Sequence, residues 1–546
     1  MAAATKTEKS NEVGLQQPGA DLYATDSIAL GNSENVNHDL VQAQGHSQVL
    51  RKDFSTLASL GLGFSITNSW IGYAASFGQN IIYGGAQNAV FSLIVAAVVQ
   101  SFITGGLSEL ASAFPSSGGQ YHICYLIAPE KTKRFTAFIV GWFSIIGWWV
   151  LTCSGISFAA IAIQGMVLFW FPNLTIHPWQ LYLIYLAVIV ASVLPVYFAE
   201  RKVPLISQVA LGLSVLGCLV TFVVLLAMRQ QTQPGSSITA SNQGSSGWNH
   251  GFAWALGICN ALYAFVATDA AVHIAEEMQR PSSQLPFILN TTILIGFVTT
   301  LPLILAMMFT VRSIDDVLAS PLPSLEVYYQ ATGSAVAATA LEVILTIIFF
   351  TAIISEWTTC SRMVWAFARD KGVPFHAYFS HIDTKKQIPV RAMFVSIIFC
   401  ALYGLLYFAS STAFNSIVTS AIVFLNITYA IPQAIVLFRG RHILPSRVLD
   451  LGHLGWFCNA FSPIATAAVA ILLCFPPSIP VAVSSMNYTS VVMVGLFVIV
   501  ILLWFVIGRS FEGPDVDVEH IEALASRGLD GKRKLIGIVW RFPRKH

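Results

Sequence analysis

From residue 54 to residue 508 the chain alternates long apolar runs with short polar or basic interruptions. The runs 54–108, 135–199, 203–228, 281–311, 392–438 and 454–508 contain no Asp, Glu, Lys or Arg. About 20 apolar residues cross a bilayer as a helix, so the longest runs each hold two crossings. Twelve spans result: 54–78, 85–109, 135–168, 180–199, 203–228, 252–275, 285–311, 336–366, 389–409, 413–438, 455–475 and 488–508. The expected fold class is an all-α polytopic membrane protein with 12 transmembrane helices.

Span 1 does not have a uniform helical pattern. Gly61, Gly63 and Gly72 surround the polar run Ser65, Thr67, Asn68, Ser69. Glycine and small polar residues weaken a helix interior, and broken backbone persists at membrane depth only inside protein or beside a wet cavity. A break is therefore expected across Ser65–Trp70. Span 6 has a second suspect stretch, Phe265–Ala270, without glycine. Spans 1–5 and 6–10 are two sets of odd number, which places the two sets in opposite orientations, and matching interruptions in inverted halves point to a substrate site. The expected organisation is a polar tail over 1–50, a first five-helix repeat over 51–228, an outer loop over 229–250, an inverted repeat over 251–438, two extra helices over 439–509, and a mixed-charge tail over 510–546.

Composition agrees with a membrane protein. The chain has 546 residues, 55% hydrophobic and 10% charged, against about 25% charged in soluble domains. A net charge of +2 gives no reason to expect a nucleic acid partner. Basic residues such as Lys131, Lys133, Arg134, Arg201, Lys202, Arg280, Arg369, Lys371, Lys385, Lys386, Arg391, Arg439, Arg441 and Arg447 fall in alternate loops, and only Arg229 and Arg312 fall in the others. The positive-inside rule then places both termini in the cytosol. The triplets at Asn173 and Asn487 fall on expected outer loops, as glycosylation acceptors should. No signal-peptide pattern opens the chain, so span 1 is expected to serve as an uncleaved signal. The eight cysteines are scattered, which suggests neither a disulfide framework nor a metal site, and no motif implies a cofactor.

Ionisable residues inside spans are costly and mark functional sites. Asp269 lies well inside span 6, where it serves either as a functional carboxylate or as a cap on a half-helix. His273, one turn on, is a proton relay or, more simply, a packing residue. In span 8, Glu342 is expected near the outer surface and solvated. Glu356 is deeper, and either meets a cationic solute or a coupling proton, or pairs with Arg362. Trp148 and Trp149 sit near mid-span in span 3, which leaves pocket and packing roles open. The turn at Pro115–Gly119 is expected to lead into a short helix from His122 to Leu126.

Five segments resemble one known family: Phe64-Ser-Ile-Thr-Asn-Ser-Trp70, Glu109-Leu-Ala-Ser-Ala-Phe-Pro-Ser-Ser-Gly-Gly-Gln-Tyr121, Asp269-Ala-Ala-Val-His-Ile-Ala-Glu-Glu277, Ala366-Phe-Ala-Arg-Asp-Lys-Gly-Val-Pro374 and Met486-Asn-Tyr488. They look like the amino acid–polyamine–organocation superfamily, and within it the fungal GABA and choline permeases. The resemblance runs from about residue 50 to 510. It implies a LeuT-type 5+5 inverted-repeat fold plus two extra helices, and uptake coupled to a proton or another ion. It also implies that Ser65, Thr67, Asn68, Ser69 and Trp70 meet a substrate carboxylate and that Phe265–Asp269 meets the amine. A choline-like substrate needs an aromatic cage instead, with Trp70, Tyr263, Phe265, Trp148 and Trp357 as candidates. Asp269 and Glu356 are the coupling candidates. The reading is a plasma-membrane permease, not an enzyme, for a small amine-bearing solute: an amino acid, GABA or choline. A non-transporting nutrient sensor and an exporter of a small metabolite are the alternatives.

Overall fold

A computed structural model describes residues 52–514 except 242–243, 384–385, 387, 410 and 483–485. The sequence readings of the two tails lie almost wholly outside the described residues. Within them the fold is all-helical and polytopic, with eleven helical segments long and apolar enough to cross a membrane. The first of these, Thr56–Ala113, runs for 58 residues. At 1.5 Å per residue that is about 87 Å of helix, far more than one hydrocarbon core. It is folded back on itself at Gly84–Gly85, where Gly85 has φ 63°, a conformation that glycine adopts without Cβ strain. Spans 1 and 2 are therefore a hairpin, and twelve crossings result.

Burial separates central spans from lipid-facing ones. Span 3, Lys133–Trp170, has 83% of its apolar window buried, and span 6, His250–Glu277, has 78%. Span 12, Thr489–Ile507, has 6%, and its exposed Val491, Val494 and Phe505 fit a bilayer-facing surface. Spans 1 and 6 pack against each other at the centre, span 3 and span 8 pack together beside them, and span 5 closes over span 1. The basic loops of spans 2–3, 4–5, 6–7, 8–9 and 10–11 can be taken as one end of the bundle, the basic end.

The glycines of span 1 do not make its break. Gly61 lies against the backbone of Ser207 in span 5, and a Cβ there would stand 2.4 Å from the Ser207 carbonyl oxygen. Gly63 faces Ile288 and Thr292 of span 7, and Gly72 faces the Tyr263 ring. Gly61 is a close-approach position of the kind that membrane helix pairs require, whereas Gly63 and Gly72 face their neighbours at about 3.4 Å, ordinary contact distance for a Cβ. Gly61→Ala should therefore lower the melting temperature of the detergent-solubilised protein by several degrees, the consequence of about 1–3 kcal/mol of overpacking. An unchanged melting temperature would mean that spans 1 and 5 separate at no cost.

Candidate functional site

Span 1 breaks at a single residue. One helix, Thr56–Thr67, ends where Asn68 takes φ 25° and ψ 61°, and the next begins at Ser69. Span 6 breaks over a longer stretch. Its α-helix His250–Ala261 passes into a 3-10 turn, Leu262–Phe265, and Ala267 then adopts the left-handed conformation with φ 65°. A left-handed alanine costs roughly 1–2 kcal/mol, which surrounding packing must sustain. Beyond it Thr268–Glu277 continues as short 3-10 pieces joined across a kink at Ile274, where φ is −110° and ψ is 15°, in keeping with the short runs usual for this helix type. No side chain caps that segment, so Asp269 is not the helix cap that its position allows. The two breaks face each other: the Thr67 hydroxyl donates to the Ala267 carbonyl at 3.4 Å.

Beside the breaks is a cavity of about 20 Å³, space for roughly one water. Thr67, Asn68, Val266, Tyr263, Phe349 and Glu356 border it, with Gly155 opposite. The helix that starts at Ser69 has its first turn, Asn68 to Gly72, on this cavity, and its dipole is positive there. Glu356 is 3% exposed. Its Oε2 has no hydrogen-bond partner among the described residues. Gly155 makes room for it, since a Cβ there would lie 3.1 Å from that oxygen. Arg362 is not its partner: the guanidinium donates to Glu277 at 2.8 Å from Nε and 3.4 Å from Nη2. A carboxylate with one unpaired oxygen and a positive helix end therefore border the same cavity.

Sequence reasoning placed more residues here than the structure brings together. Thr67, Asn68, Tyr263 and Glu356 border the cavity. Ser65 instead bonds to Leu62 and Ser355. Ser69 packs on Gly296 of span 7. Trp70 donates to Ser214 of span 5, which donates in turn to Asn68 Oδ1. Phe265 is buried against Gly296, and Trp357 donates to Ser192 of span 4. Of the five proposed cage aromatics only Tyr263 borders the cavity; the indole N–H groups of Trp70 and Trp357 turn towards serine hydroxyls and that of Trp148 towards Asp269, and Phe265 packs on span 7. Phe349 is the aromatic that was missed. Its signal was present as spacing: Glu342, Phe349 and Glu356 recur every seven residues on one face of span 8.

Asp269 and Trp148 belong to a separate cluster, between the breaks and the basic end. Asp269 is fully buried. Its carboxylate accepts from Tyr429 at 2.5 Å, Gln120 at 2.8 Å and Trp148 at 3.4 Å, and lies 3.0 Å from His273 Nε2. His273 also meets the Ser117 carbonyl through Nδ1, so it bridges two elements rather than merely packing. Gln120 comes from the short helix Gln120–Ile127, close to the helix expected at His122–Leu126. Nearer the basic end follow the Arg362–Glu277 and Arg369–Glu276 pairs and the contacts of Tyr121 and His122 with Asp370. Glu109 holds Arg441 and Arg447 beside them. Asp450, on the same loop, has its carboxyl held below the usual range by the Gly452 backbone N–H and by Arg447 and Arg441.

The opposite side is thinly closed. A vestibule of about 610 Å³ opens towards the loop between spans 11 and 12. Tyr263 and Phe349 border both the vestibule and the small cavity. Phe158 packs on each of them, at ring distances of 5.5 and 5.8 Å, and the Tyr263 hydroxyl is 2.6 Å from Ser154. Glu342, expected to be solvated, is fully buried at the vestibule wall. Asn173 is exposed, whereas the Asn487 side-chain amide donates to the carbonyls of Leu473 and Phe475, each at 2.7 Å.

Comparison with known proteins agrees with this architecture. The amino acid permease family matches residues 54–499. The choline transporter of Saccharomyces cerevisiae is 33% identical over 486 residues, 88% of this chain and 86% of the relative. A putative amino acid/polyamine transporter of Macrophomina phaseolina is 27% identical over 439 residues, 79% of this chain and 96% of the relative. The swainsonine transporter of Arthroderma benhamiae is 30% identical over 495 residues, 90% of this chain and 97% of the relative. With its twelve crossings and its mid-membrane cavity between two broken helices, the chain belongs to the amino acid permease family of the amino acid–polyamine–organocation superfamily and is a permease for small organic solutes.

Proposed function

We propose that this permease carries a small cationic or zwitterionic amine, choline or an amino acid such as GABA, through the cavity at the Asn68 and Ala267 breaks. The observation that carries the reading is Glu356, a buried carboxylate without a countercharge beside that cavity. A buried charge is expensive unless paired, and an ammonium group supplies the pairing. Tyr263 and Phe349 add the aromatic faces that a quaternary ammonium prefers. The positive end of the helix beginning at Ser69 suits a substrate carboxylate where one exists. Similarity to relatives named for choline and for amino acids or polyamines supports the same range of solutes.

Transport proceeds by alternating access, with spans 1–5 and 6–10 as inverted repeats around the two breaks. The basic end faces the cytosol, both termini lie there, and the vestibule faces outwards from the plasma membrane. The cavity, with room for one water, belongs to a closed intermediate. Opening the Tyr263–Phe349 barrier admits the solute, and separating the Asp269 cluster and the ion pairs releases it. Asp269 and Glu356 are the groups on which a coupling proton can ride. The glycan acceptor is Asn173, since Asn487 is engaged in its own loop.

The test is uptake of labelled choline and labelled GABA into cells lacking their own permeases, at acidic and at neutral pH. GABA uptake that rises at acidic pH supports carboxylate recognition at Asn68–Gly72 and proton coupling. Choline uptake assigns the site to Glu356 and the aromatic rings. Accumulation of neither, with the protein present at the surface, overturns the amine reading. Asp269→Asn is expected to flatten the pH dependence of uptake, and an unaltered pH profile would remove Asp269 from the coupling step.

A further inference from the structure

We propose that Glu342 forms a second, outer cation site in the vestibule, where an organic ammonium ion is held before it passes Phe349 to Glu356. The vestibule of about 610 Å³ contains no Lys or Arg among its lining residues, and Glu342 is the one Asp or Glu among them in the described residues. The carboxylate is fully buried, and neither of its oxygens has a hydrogen-bond partner among the described residues. Ser324 lines the same vestibule. The Tyr328 hydroxyl is likewise buried without a hydrogen-bond partner among the described residues, although Tyr328 does not line the vestibule. A carboxylate at the wall of a cavity that finds no hydrogen-bond donor of its own is a receptor for a cation that donates hydrogen bonds or offers C–H groups.

Position along span 8 gives the site its role. Glu342, Leu345, Phe349, Ala352 and Glu356 all border one of the two cavities. Glu342 and Glu356 are fourteen residues apart on one face, about 21 Å at 1.5 Å per residue, and Phe349 lies midway. An ammonium ion thus meets a carboxylate, an aromatic barrier and a second carboxylate along one helix face. Narrow, single-sign cavities with low-dielectric walls raise the local concentration of the opposite charge. The identity of the cation rests on the amine reading above, whereas the electrostatic character of the vestibule does not.

The experiment reads the vestibule without needing the transported solute. Ser76 lines the vestibule and is half-buried, so Ser76→Cys provides a reporter thiol, placed in a Cys474→Ser background because Cys474 is the native thiol that is not fully buried. The full chain in lipid nanodiscs is reacted with a trimethylammonium-ethyl and with a sulfonato-ethyl methanethiosulfonate, and the ratio of the two rates is taken. Glu342→Gln is expected to lower that ratio about tenfold and to abolish protection of the thiol by tetramethylammonium. Glu342→Asp, which keeps the charge, should retain both effects and shows that the fold has survived. A ratio unchanged by Glu342→Gln overturns the proposal. Glu356→Gln separates it from the transport reading: loss of uptake with the ratio intact is expected, and uptake that survives this change sinks the inner site while leaving the outer one standing on its own measurement.

Discussion

Glu356→Gln is expected to lower the uptake efficiency for a cationic amine by about 100-fold while the protein still reaches the membrane in normal amount. The change keeps the shape of the side chain and removes only the charge. A hydrogen bond to a charged group contributes about 1.5–3 kcal/mol, and in a buried site the upper end of that range applies, roughly two powers of ten. The fold should not suffer, because Glu356 Oε2 has no partner to lose and Gly155 leaves the side chain its space. A neutral amide in that position is even less costly to bury than the carboxylate, so thermal stability without substrate should hold or rise. The diagnostic pattern is a stable, inactive permease, read by labelled uptake together with a melting curve. A variant with undiminished uptake would remove Glu356 from the substrate path, and a variant that unfolds would make it a structural residue.

Arg362→Ala should have a comparably large effect for the opposite reason. The Arg362–Glu277 pair is nearly dry, with side-chain exposures of 5% and 8%. Removing one partner of a buried pair costs about 3–5 kcal/mol, because the other charge is left unpaired. The closed basic end then gives way to any arrangement in which Glu277 reaches water. The expected result is loss of uptake together with reaction of Cys360, buried at 1% exposure two residues before Arg362, with N-ethylmaleimide, read by peptide mass spectrometry. Replacing both partners with apolar residues should restore protection of Cys360, since an ion pair can often be exchanged for apolar packing at little cost. If Cys360 stays protected and uptake persists in Arg362→Ala, the pair does not hold the basic end closed.

Parts of this site were legible in the sequence. The polar run around Asn68 announced a broken span, and the break falls inside the expected window, at Asn68. The Phe265–Ala270 stretch of span 6 was suspect without glycine, and there the chain sustains a left-handed alanine. The glycines of span 1 pointed to the correct helix for a different physical reason, since Gly61 admits the backbone of span 5. Depth within a span identified Asp269 and Glu356 together. Only the fold separates them: Asp269 is held by Tyr429, Gln120 and Trp148, and Glu356 is left open on a cavity.

The sequence by itself determined the number of crossings and the positions of the two breaks, and it held, unread, the seven-residue spacing of Glu342, Phe349 and Glu356 along span 8. These are local properties, set by the roughly 20 apolar residues that a bilayer core selects and by the helical repeat. The tertiary structure decided which charges are paired. Arg362 stands six residues from Glu356, yet it bonds Glu277, 85 residues away in the chain. Pairing is fixed by which helix faces meet in the packed bundle, and the desolvation of what remains unpaired is the ground on which Glu356 is proposed as the binding carboxylate. Hydropathy and spacing carry no record of those contacts.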